Sequence, residues 1–306
     1  MSLDLSHHTL DRLAQRWRWT PLLAALCLGG CGSGGAQGVA APGTPATPAP
    51  TASSTLPPES LAVPAGYSLV WADEFASDGL PDGSRWEYDT GMNKPGWFNH
   101  ELQYYGRARS ENSEVRDGKL IITARKEQLN TAADWGGQAY TSARLFTQGK
   151  AEWTYGFFEI RAKLPCGKGT WPAIWMLGKG DWPAAGELDI MEQIGKEPNR
   201  LFSTVHTSSG SGGNGVGAAT QLSDACTAFH NYQMLWTPQQ ISFGIDGKPH
   251  AVYNKAGTGT TQWPFDAPQF LILNIAIGGD LGGAVDDSIF PVRMEVDYVR
   301  VYQKPQ

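Results

Sequence analysis

The sequence has no excess of basic residues and no apolar run long enough to cross a bilayer. Lys and Arg total 24 against 30 Asp and Glu, and the net charge is −6. A nucleic-acid-binding domain needs a basic stripe, so nucleic acid is not an expected partner. Zinc sites and phosphate-binding loops also lack their signatures, because the sequence contains no His/Cys grouping and no Gly-rich phosphate loop.

The first 30 residues have the features of an export signal. An arginine-containing segment precedes the apolar run PLLAALCLGG at residues 21–30, which is far shorter than the ~20 apolar residues of a membrane-spanning helix. The run ends in LGGC at residues 28–31, which resembles a bacterial lipobox. That resemblance predicts cleavage after residue 30 and lipidation of Cys31. The alternative is a plain signal peptide that is cleaved at a nearby Ala or Gly.

The segment that follows is predicted to be a flexible linker. Residues 32–60 consist mainly of Gly, Ala, Pro, Thr and Ser, which bury too little apolar surface to offset chain entropy. The predicted organisation is therefore a signal at 1–30, the lipidated Cys31 with its linker at 31–61, and one folded domain at 62–306. Because Gly32 stands where an Asp would favour inner-membrane retention, we expect an exported lipoprotein of the outer membrane or cell surface. A membrane would then be contacted through the lipid only.

Cysteine is scarce, and two cysteines remain for the folded domain. Cys27 leaves with the signal and Cys31 takes the lipid, so Cys166 and Cys226 are left. In an oxidising compartment such a pair predicts a disulfide. The alternative is two buried free thiols, because the sequence does not establish that the two Cα atoms come within bridging distance.

From residue 61 onward, short alternating segments separated by turn signals predict an all-β domain. Residues 158–164 and 296–302 alternate apolar and polar side chains, which is typical of half-buried strands. Asp-Gly hairpin dipeptides lie at 117–118 and 246–247. The continuous apolar run at 271–277 indicates a strand covered on both faces. No linker and no convincing helical period divides the region, so a single β-sandwich is predicted.

Three carboxylates fall within six residues of GELDIMEQ, at residues 186–193. In a regular strand Glu187 and Asp189 would share one face and Glu192 would point the other way. A β-bulge at residues 190–191 would shift the alternation by one and bring all three acids to the same face. Like charges crowded together raise one another's pKa, a cost expected where one carboxyl must stay protonated beside an ionised one. The octapeptide alone leaves open a Glu192 that faces solvent.

Tryptophan is abundant, with 12 residues in the chain, and three of them shortly precede the acids in GTWPAIWMLG and DWP. Flat aromatic faces stack on the C–H faces of pyranose rings. Trp171 and Trp182 have the Gly/Pro-flanked contexts of loops and are the better candidates for substrate contact. Trp175 lies in an apolar run, and its alternative is a position in the core.

The octapeptide GELDIMEQ, together with GTWPAIWML and DWP, resembles glycoside hydrolase family 16, and in particular its bacterial endo-β-1,3-glucanase (laminarinase) branch. The similar segments span nearly all of 62–306 and also include WADEF at 71–75, NHELQYY at 99–105, LNIAIGG at 273–279 and VDYVRVY at 296–302. The resemblance implies a β-jelly-roll sandwich of the concanavalin A-like type with a concave substrate cleft. It also implies the bulged form of the carboxylate strand.

By this resemblance Glu187 is the nucleophile, Glu192 the general acid/base and Asp189 the assisting carboxylate between them. The reaction is then a double displacement that retains the anomeric configuration. Glu192 must have a raised pKa to carry its proton near neutral pH. The spacing of the acids by itself favours neither a retaining nor an inverting mechanism.

Further cleft residues follow from the same resemblance. His206 is expected beside the acids on the next strand, and the alternative is a satisfied buried histidine. Asn99 and Glu101 match a loop that borders the cleft, although His100 replaces an expected Asn. The remaining candidates are Asn274, at a cleft-facing position, and Arg144, which either lines the groove or forms a surface salt bridge.

The resemblance implies no catalytic cofactor, but many members of the family hold a structural calcium ion on the convex side. Asp297, Glu74 and the carbonyl of Gly118 match its ligands, and hard oxygen ligands suit calcium. The alternative is an Asp297 that only hydrogen-bonds a turn.

The resulting prediction is a monomeric endo-acting hydrolase whose partner is a β-glucan polysaccharide, with laminarin-type β-1,3-glucan as the leading substrate. Mixed-linkage β-1,3-1,4-glucan is the nearest alternative, and transglycosylation through the same intermediate stays open. Agar and carrageenan are less favoured, because the WPAIWML and ELQYY context is glucanase-like. A non-catalytic glucan-binding lipoprotein would lose catalytic glutamates, whereas all three acids are kept here.

Overall fold

The structure is a computed structural model that describes residues 60–257 and 259–305. The predicted signal peptide, Cys31 and the linker up to residue 59 lie outside the described residues. Within the described ranges, no helix has the length and apolar character needed to span a membrane.

The described chain is almost entirely β-structure, as predicted. Short 3₁₀ turns occur at Phe98–His100, Gly212–Asn214 and Asp287–Ile289, and one helical turn, α1, spans Gly279–Gly282. The strands are β1 (Ser68–Asp73), β2 (Glu87–Tyr88), β3 (Gln103–Tyr105), β4 (Ser113–Arg116), β5 (Lys119–Lys126), β6 (Tyr140–Ser142), β7 (Arg144–Phe146), β8 (Gly156–Lys163), β9 (Thr170–Gly178), β10 (Glu187–Gln193), β11 (Arg200–His206), β12 (Val216–Gln221), β13 (His230–Trp236), β14 (Gln240–Ile245), β15 (Lys248–Asn254), β16 (Gln269–Ile277) and β17 (Val292–Gln303).

These strands form two sheets. The larger sheet has the order β15-β14-β13-β8-β17-β5-β6-β3, with β1 paired to β17 and β4 to β5; the smaller has the order β12-β11-β10-β9-β16-β7-β2. The apolar faces of both sheets contribute to one buried cluster, which includes Leu188 and Ile174 from the smaller sheet and Phe158 and Trp236 from the larger. Burial of these side chains removes apolar surface from water and is the main stabilising contribution to the sandwich.

Both Asp-Gly dipeptides form the predicted hairpin turns. Asp117 and Gly118 have φ values of 53° and 69°, and Asp246 and Gly247 have 50° and 78°. Two successive positive φ values are those of a type I′ turn, whose twist matches that of the flanking strands. The turns join β4 to β5 and β14 to β15 in antiparallel register.

Strand β16 is covered on both faces, as its apolar run predicts, and all nine of its residues are buried. Leu271, Leu273 and Ile275 face the core. At the end of the strand the segment around β3 contacts it, where the Leu102 N–H donates to the Ile277 carbonyl at 2.8 Å and the Ile277 N–H donates to Gln103 Oε1 at 2.7 Å. The chain near residues 102–105 therefore lies across one end of the smaller sheet.

The two remaining cysteines form the predicted disulfide. Cys166 and Cys226 are bonded with their Cα atoms 5.8 Å apart, within the usual bridging range. The bond links the segment after β8 to the loop between β12 and β13, and the alternative of two free thiols is wrong.

Candidate active site

Strand β10 contains the bulge on which the three acids depend. Against β11, Asp189 pairs with Thr204 and Glu192 with Phe202, so two residues of β10 oppose Ser203 alone. Against β9, the register also shifts between Asp189 and Met191. Because the bulge restores the alternation, all three carboxylates point away from the core on the same side of β10. The bulge prediction is confirmed, and the alternative of a separately facing Glu192 is wrong.

We call the side of the smaller sheet that turns away from the core the outer face; it carries Glu187, Asp189, Glu192, Trp175 and His206. Strand pairing arranges its residues in rows that cross the strands. One row contains Arg144, Asn274, Ala173, Glu192 and Phe202, contributed in turn by β7, β16, β9, β10 and β11. The next rows place Trp175 beside Asp189, and Glu187 beside His206.

Each glutamate accepts a hydrogen bond from an indole N–H, and Asp189 lies within ion-pair distance of a histidine. The Trp171 indole N–H donates to Glu192 Oε1 at 2.9 Å, and the Trp182 indole N–H donates to Glu187 Oε2. His206 Nε2 lies 3.0 Å from Asp189 Oδ2. These contacts fix the orientation of the three acids without neutralising them with a permanent cation.

The surroundings raise the pKa of all three acids. Burial and then the charge of Asp189 raise the pKa of Glu187 to about 8, although His206 and the Trp182 N–H lower it. Burial and then the charge of Glu192 hold the pKa of Asp189 well above its usual range. Burial also raises the pKa of Glu192, against the Trp171 N–H and His206. The cluster therefore retains protons near neutral pH, as general acid catalysis by a carboxyl requires.

The three tryptophans all reach the outer face, but not as the sequence predicted. Trp171 lies within β9 and is buried rather than in a loop, because β9 begins at Thr170 and pairs with β16 along its whole length. Trp175 is half-buried on the outer face instead of in the core, and its indole N–H donates to Asn274 Oδ1 at 2.7 Å. Trp182 does lie in the loop between β9 and β10.

Arg144 is a buried residue of the outer face, so the alternative of a surface salt bridge is wrong. It is 9% exposed, and its Nε lies 3.0 Å from Asp89 Oδ2. Its guanidinium lies 4.7 Å from the ring centroid of Trp175 and 5.1 Å from that of Trp97. Packing between two aromatic faces suits the weakly hydrated planar guanidinium.

Asn274, which pairs with Arg144 across the strands, hydrogen-bonds two aromatic side chains near it. Its side-chain amide donates to the Tyr105 hydroxyl at 3.0 Å while its oxygen accepts from Trp175. Tyr105 is fully buried, and its ring lies 4.6 Å from that of Trp97. Tyr105, Trp97 and Asp89 were not identified from the sequence. Tyr105 lies in the NHELQYY segment, but neither its partners nor its direction follow from that pattern.

Glu101 adds a fourth carboxyl near the acids. It accepts a hydrogen bond from Gln103 Nε2 at 2.8 Å and a longer one from Asn99 Nδ2 at 3.4 Å. Burial raises the pKa of Glu101, Arg144 lowers it, and the charge of Glu192 raises it further. His100, by contrast, is exposed and lies 2.7 Å from Asp280 of α1. The departure from the expected Asn therefore falls on a contact between two loops.

The two carboxylates among the predicted calcium ligands are engaged by other side chains in this structure. Both oxygens of Glu74 accept from Arg300, at 2.8 and 2.9 Å, and Asp297 Oδ2 accepts from Arg161 at 2.9 Å. Gly118 occupies the β4–β5 turn. Calcium takes six to eight oxygen ligands, whereas these carboxylates are turned to separate arginines. Glu187, Asp189 and His206 offer donor atoms within 4.8 Å of one another, but these are the proposed reacting groups.

A β-sandwich whose outer face holds paired carboxyls with raised pKa values beside tryptophan rings has the site of a glycosidase. Residues 101–300 match the family Glycosyl hydrolases family 16. The chain belongs to this family, and it is a glycoside hydrolase with the family's jelly-roll fold.

Named relatives align with most of this chain. A β-glucanase from Rhodothermus marinus is 48% identical over 252 residues, which cover 78% of this chain and 85% of that protein. The crystal structure of a mutant of SCLam, a non-specific endo-β-1,3(4)-glucanase with a β-glucan oligosaccharide at its active site, is 49% identical with a TM-score of 0.79 and covers 82% of this chain and all of that one. The laminarinase structure from R. marinus is 46% identical with a TM-score of 0.73, covering 78% and 98%.

Proposed function

We propose that this chain is an endo-acting, retaining hydrolase of β-1,3-glucan. The observation that carries the proposal is the bulged strand β10, which presents Glu187, Asp189 and Glu192 on one face with an indole N–H on each glutamate. Glycosidic bond cleavage requires one protonated carboxyl and one ionised carboxylate. The laminarinase and β-glucanase relatives support glucan as the substrate.

In the proposed first step Glu187 attacks the anomeric carbon while Glu192 donates its proton to the leaving oxygen. The attack requires the ionised form of Glu187, which burial and the charge of Asp189 disfavour and the Trp182 N–H and the charge of His206 favour. In the second step Glu192 takes a proton from a water molecule, and that water displaces Glu187 from the glycosyl–enzyme. Two displacements at the same carbon retain its configuration.

Asp189 and His206 have supporting roles in this proposal. Asp189 lies between the two glutamates on β10. The charge of Asp189 raises the pKa of Glu187, and the charge of Glu192 raises the pKa of Asp189. A proton on Asp189 relieves both repulsions. His206 lies 3.0 Å from Asp189 and lowers the pKa of both glutamates. We propose that this pair adjusts the charge of the cluster between the two displacements.

The rows of the outer face provide the proposed substrate path. A glucan chain that crosses the strands passes from Asn274 and Trp175, which lie in neighbouring rows, over the acids towards Phe202, and Trp171 and Trp182 border the same acids. Asn99, Glu101 and Arg144 are proposed to form the floor and rim at the β16 end. Because an open sheet face admits the middle of a polymer, the arrangement favours endo-cleavage.

Mixed-linkage β-1,3-1,4-glucan is a second candidate substrate, because the SCLam relative is named as an endo-β-1,3(4)-glucanase. Interception of the glycosyl–enzyme by a sugar hydroxyl would give transglycosylation through the same residues. Both possibilities are compatible with the proposed roles of Glu187 and Glu192.

The test uses residues 62–306 and measures reducing-end release from laminarin, mixed-linkage glucan, cellulose and agarose. We expect release from laminarin, accompanied by a fast fall in polymer length, and loss of both with Glu187→Gln. Cleavage of mixed-linkage glucan but not laminarin would correct the substrate and keep the mechanism. Binding of glucan by a folded domain that releases nothing would replace the hydrolase by a binding protein.

Calcium binding, lipid anchoring and the monomeric state stay predictions. Calcium would have to draw Glu74 and Asp297 away from Arg300 and Arg161, so the melting temperature in calcium is compared with that in EDTA. An unchanged value would remove the site from the proposal. Labelling with a radioactive fatty acid in cells, with Cys31→Ser as control, tests the anchor, and cell fractionation tests the proposed outer-membrane or cell-surface location.

A further inference from the structure

The bulge that aligns the acids interrupts the regular strand pairing at Ile190 and Met191, and the Ile190 carbonyl there accepts a side-chain hydrogen bond. Ile190 and Met191 share one opposing residue, Ser203. The Ser203 hydroxyl donates to the Ile190 carbonyl at 2.7 Å. Ser203 is 1% exposed, so this bond forms away from solvent, where an unserved carbonyl would be costly. A side chain of β11 therefore stabilises the backbone of the bulge from the core side.

A second bulge, in the other sheet, supports Ser203. On β15, Phe243 pairs with Ala251 and Gly244 with Pro249, so His250 is the extra residue. His250 Nε2 lies 2.9 Å from Ser203 Oγ. The contact joins the larger sheet to the smaller one directly behind the carboxylate strand. The extra residues of two bulges are thus connected through one hydroxyl.

The proton positions in this chain of bonds follow from counting donors. A carbonyl cannot donate, so the Ser203 hydroxyl proton lies on the bond to Ile190. The remaining contact at Ser203 must then receive a proton from His250 Nε2. Burial lowers the pKa of His250 to about 4, so the imidazole is neutral at neutral pH and carries its proton on Nε2. The order of donation is His250 to Ser203 to the Ile190 carbonyl.

We propose that Ser203 and His250 are positioning residues that hold the β10 bulge and thereby set the placement of Glu192 relative to Glu187. Glu187 and Asp189 precede the bulge and pair with His206 and Thr204, and Glu192 follows it and pairs with Phe202. The bulge therefore sets the spacing between Glu192 and the other two acids, and a change in its geometry alters that spacing. The indole of Trp171 orients the carboxylate end of Glu192, and the Ser203 bond positions its backbone.

This inference rests on the proposed role of Glu192 as general acid, and it makes a prediction that depends on the leaving group. A dinitrophenolate leaves without a proton, whereas a sugar alcohol needs one from Glu192. Misplacing Glu192 should slow cleavage of a laminari-oligosaccharide and leave cleavage of a dinitrophenyl β-laminaribioside almost unchanged. General disruption of the fold would slow both.

The experiment compares kcat/KM on these two substrates for the wild type, Ser203→Ala, His250→Leu and His250→Gln. For Ser203→Ala we expect a loss of about 10²-fold on the oligosaccharide, the size of effect that a misplaced catalytic group produces. The loss on the aryl glycoside should stay within about threefold, because that reaction needs no proton from Glu192. His250→Leu should show the same pattern more weakly. His250→Gln should recover activity, because its side-chain amide can donate to Ser203.

Two controls make the outcome readable. Ser242→Ala removes another fully buried hydroxyl, on β14 of the larger sheet, where it donates to Gln240; we expect unchanged kinetics on both substrates. Glu192→Ala is the reference for a missing general acid. If Ser203→Ala does not fold, His250→Leu carries the same comparison.

Equal losses on both substrates, or no loss on either, would overturn the positioning role. A Glu192→Ala variant that lacks leaving-group dependence would instead contradict the proposed role of Glu192. If the wild type cleaved neither substrate, the proposed hydrolase function itself would fail.

Discussion

The outer face has two halves, β10–β11 and β7–β16, and buried charged groups have opposite environments in them. On β10 and β11, three carboxylates lie together, and His206 contacts one of them, Asp189. The pKa values of all three carboxyls are raised. On β7 and β16, the one buried cation, Arg144, is paired with Asp89 and packed between two tryptophans. The halves adjoin in the same rows of the sheet.

In the proposed function this difference separates a reacting region from a supporting one. Uncompensated acids cost stability, because burial and like charges disfavour ionisation, but the same cost keeps protons available for transfer. A cation that is paired with a carboxylate and packed between two rings is held in place without depending on proton transfer. A substrate held on the second region would thus be presented to proton chemistry on the first.

The sharpest way to test the reacting half is to remove each glutamate separately. Glu192→Ala should lower kcat/KM on glucan by about 10²–10⁴-fold through loss of general acid catalysis, and Glu187→Ala should lower it at least as much. With a dinitrophenyl β-glycoside and azide, Glu192→Ala should yield the β-glycosyl azide after two displacements, and Glu187→Ala the α-azide after one. The anomers are distinguished by NMR, and reversed products would exchange the two roles.

The supporting half is tested by removing its cation. Arg144→Met removes the cation beside Asp89 and the guanidinium between the rings of Trp97 and Trp175, so the free energy of unfolding should fall by about 3 kcal/mol. Arg300→Met is the matched control, because Arg300 pairs with the half-exposed Glu74 over the ring of Tyr298; its loss should stay near 1 kcal/mol or below. Urea unfolding measures both, and equal losses would contradict the contrast between the halves.

The smallest effect concerns the stability cost of the acids themselves. The folded-state pKa of Glu187 is about 8 against an ordinary value of 4.5, so the native state loses stability as pH rises through that interval. Glu187→Gln has no such cost. Its melting temperature should match the wild type near pH 4 and exceed it at pH 8 by about 2–4 °C or more.

Glu74→Gln provides a control of the opposite sign for this measurement. Its hydrogen bond to Arg300 lowers the pKa of Glu74, so the wild type keeps this contribution above the ordinary carboxyl pKa and loses it at lower pH. The variant should therefore be slightly less stable at pH 8. A Glu187→Gln variant that is no more stable than the wild type at pH 8 would argue against a strained acid cluster.

Local patterns were sufficient for much of the fold. The Asp-Gly turns, the alternation of β8 and β17 and the apolar run of β16 were predictable, because turn chemistry and burial period act over a few residues. The bulge required more: alternation alone puts Glu192 on the wrong side of β10, and the resemblance to family 16 implied the extra residue.

Side-chain environments depend on partners far away in the sequence and were predicted less well. Trp175 reads as core until Asn274, 99 positions later, is placed beside it. The sequence leaves Arg144 either in the groove or in a surface salt bridge, until Trp97 and Trp175 are packed on its two sides. The bond between Ser203 and His250 joins strands of different sheets, and no local pattern encodes it.

The bulge also bears on how strand β10 can change in length. Removing one of its two bulge residues would leave Glu187 and the second glutamate four positions apart, and plain alternation would again place them on the same side. Gain or loss of this single bulge residue therefore keeps the acids on the same side of β10. The same change between Glu187 and Asp189 would turn Glu187 to the opposite side. Evolution or engineering can vary chain length at one point of the active-site strand without disturbing which groups meet.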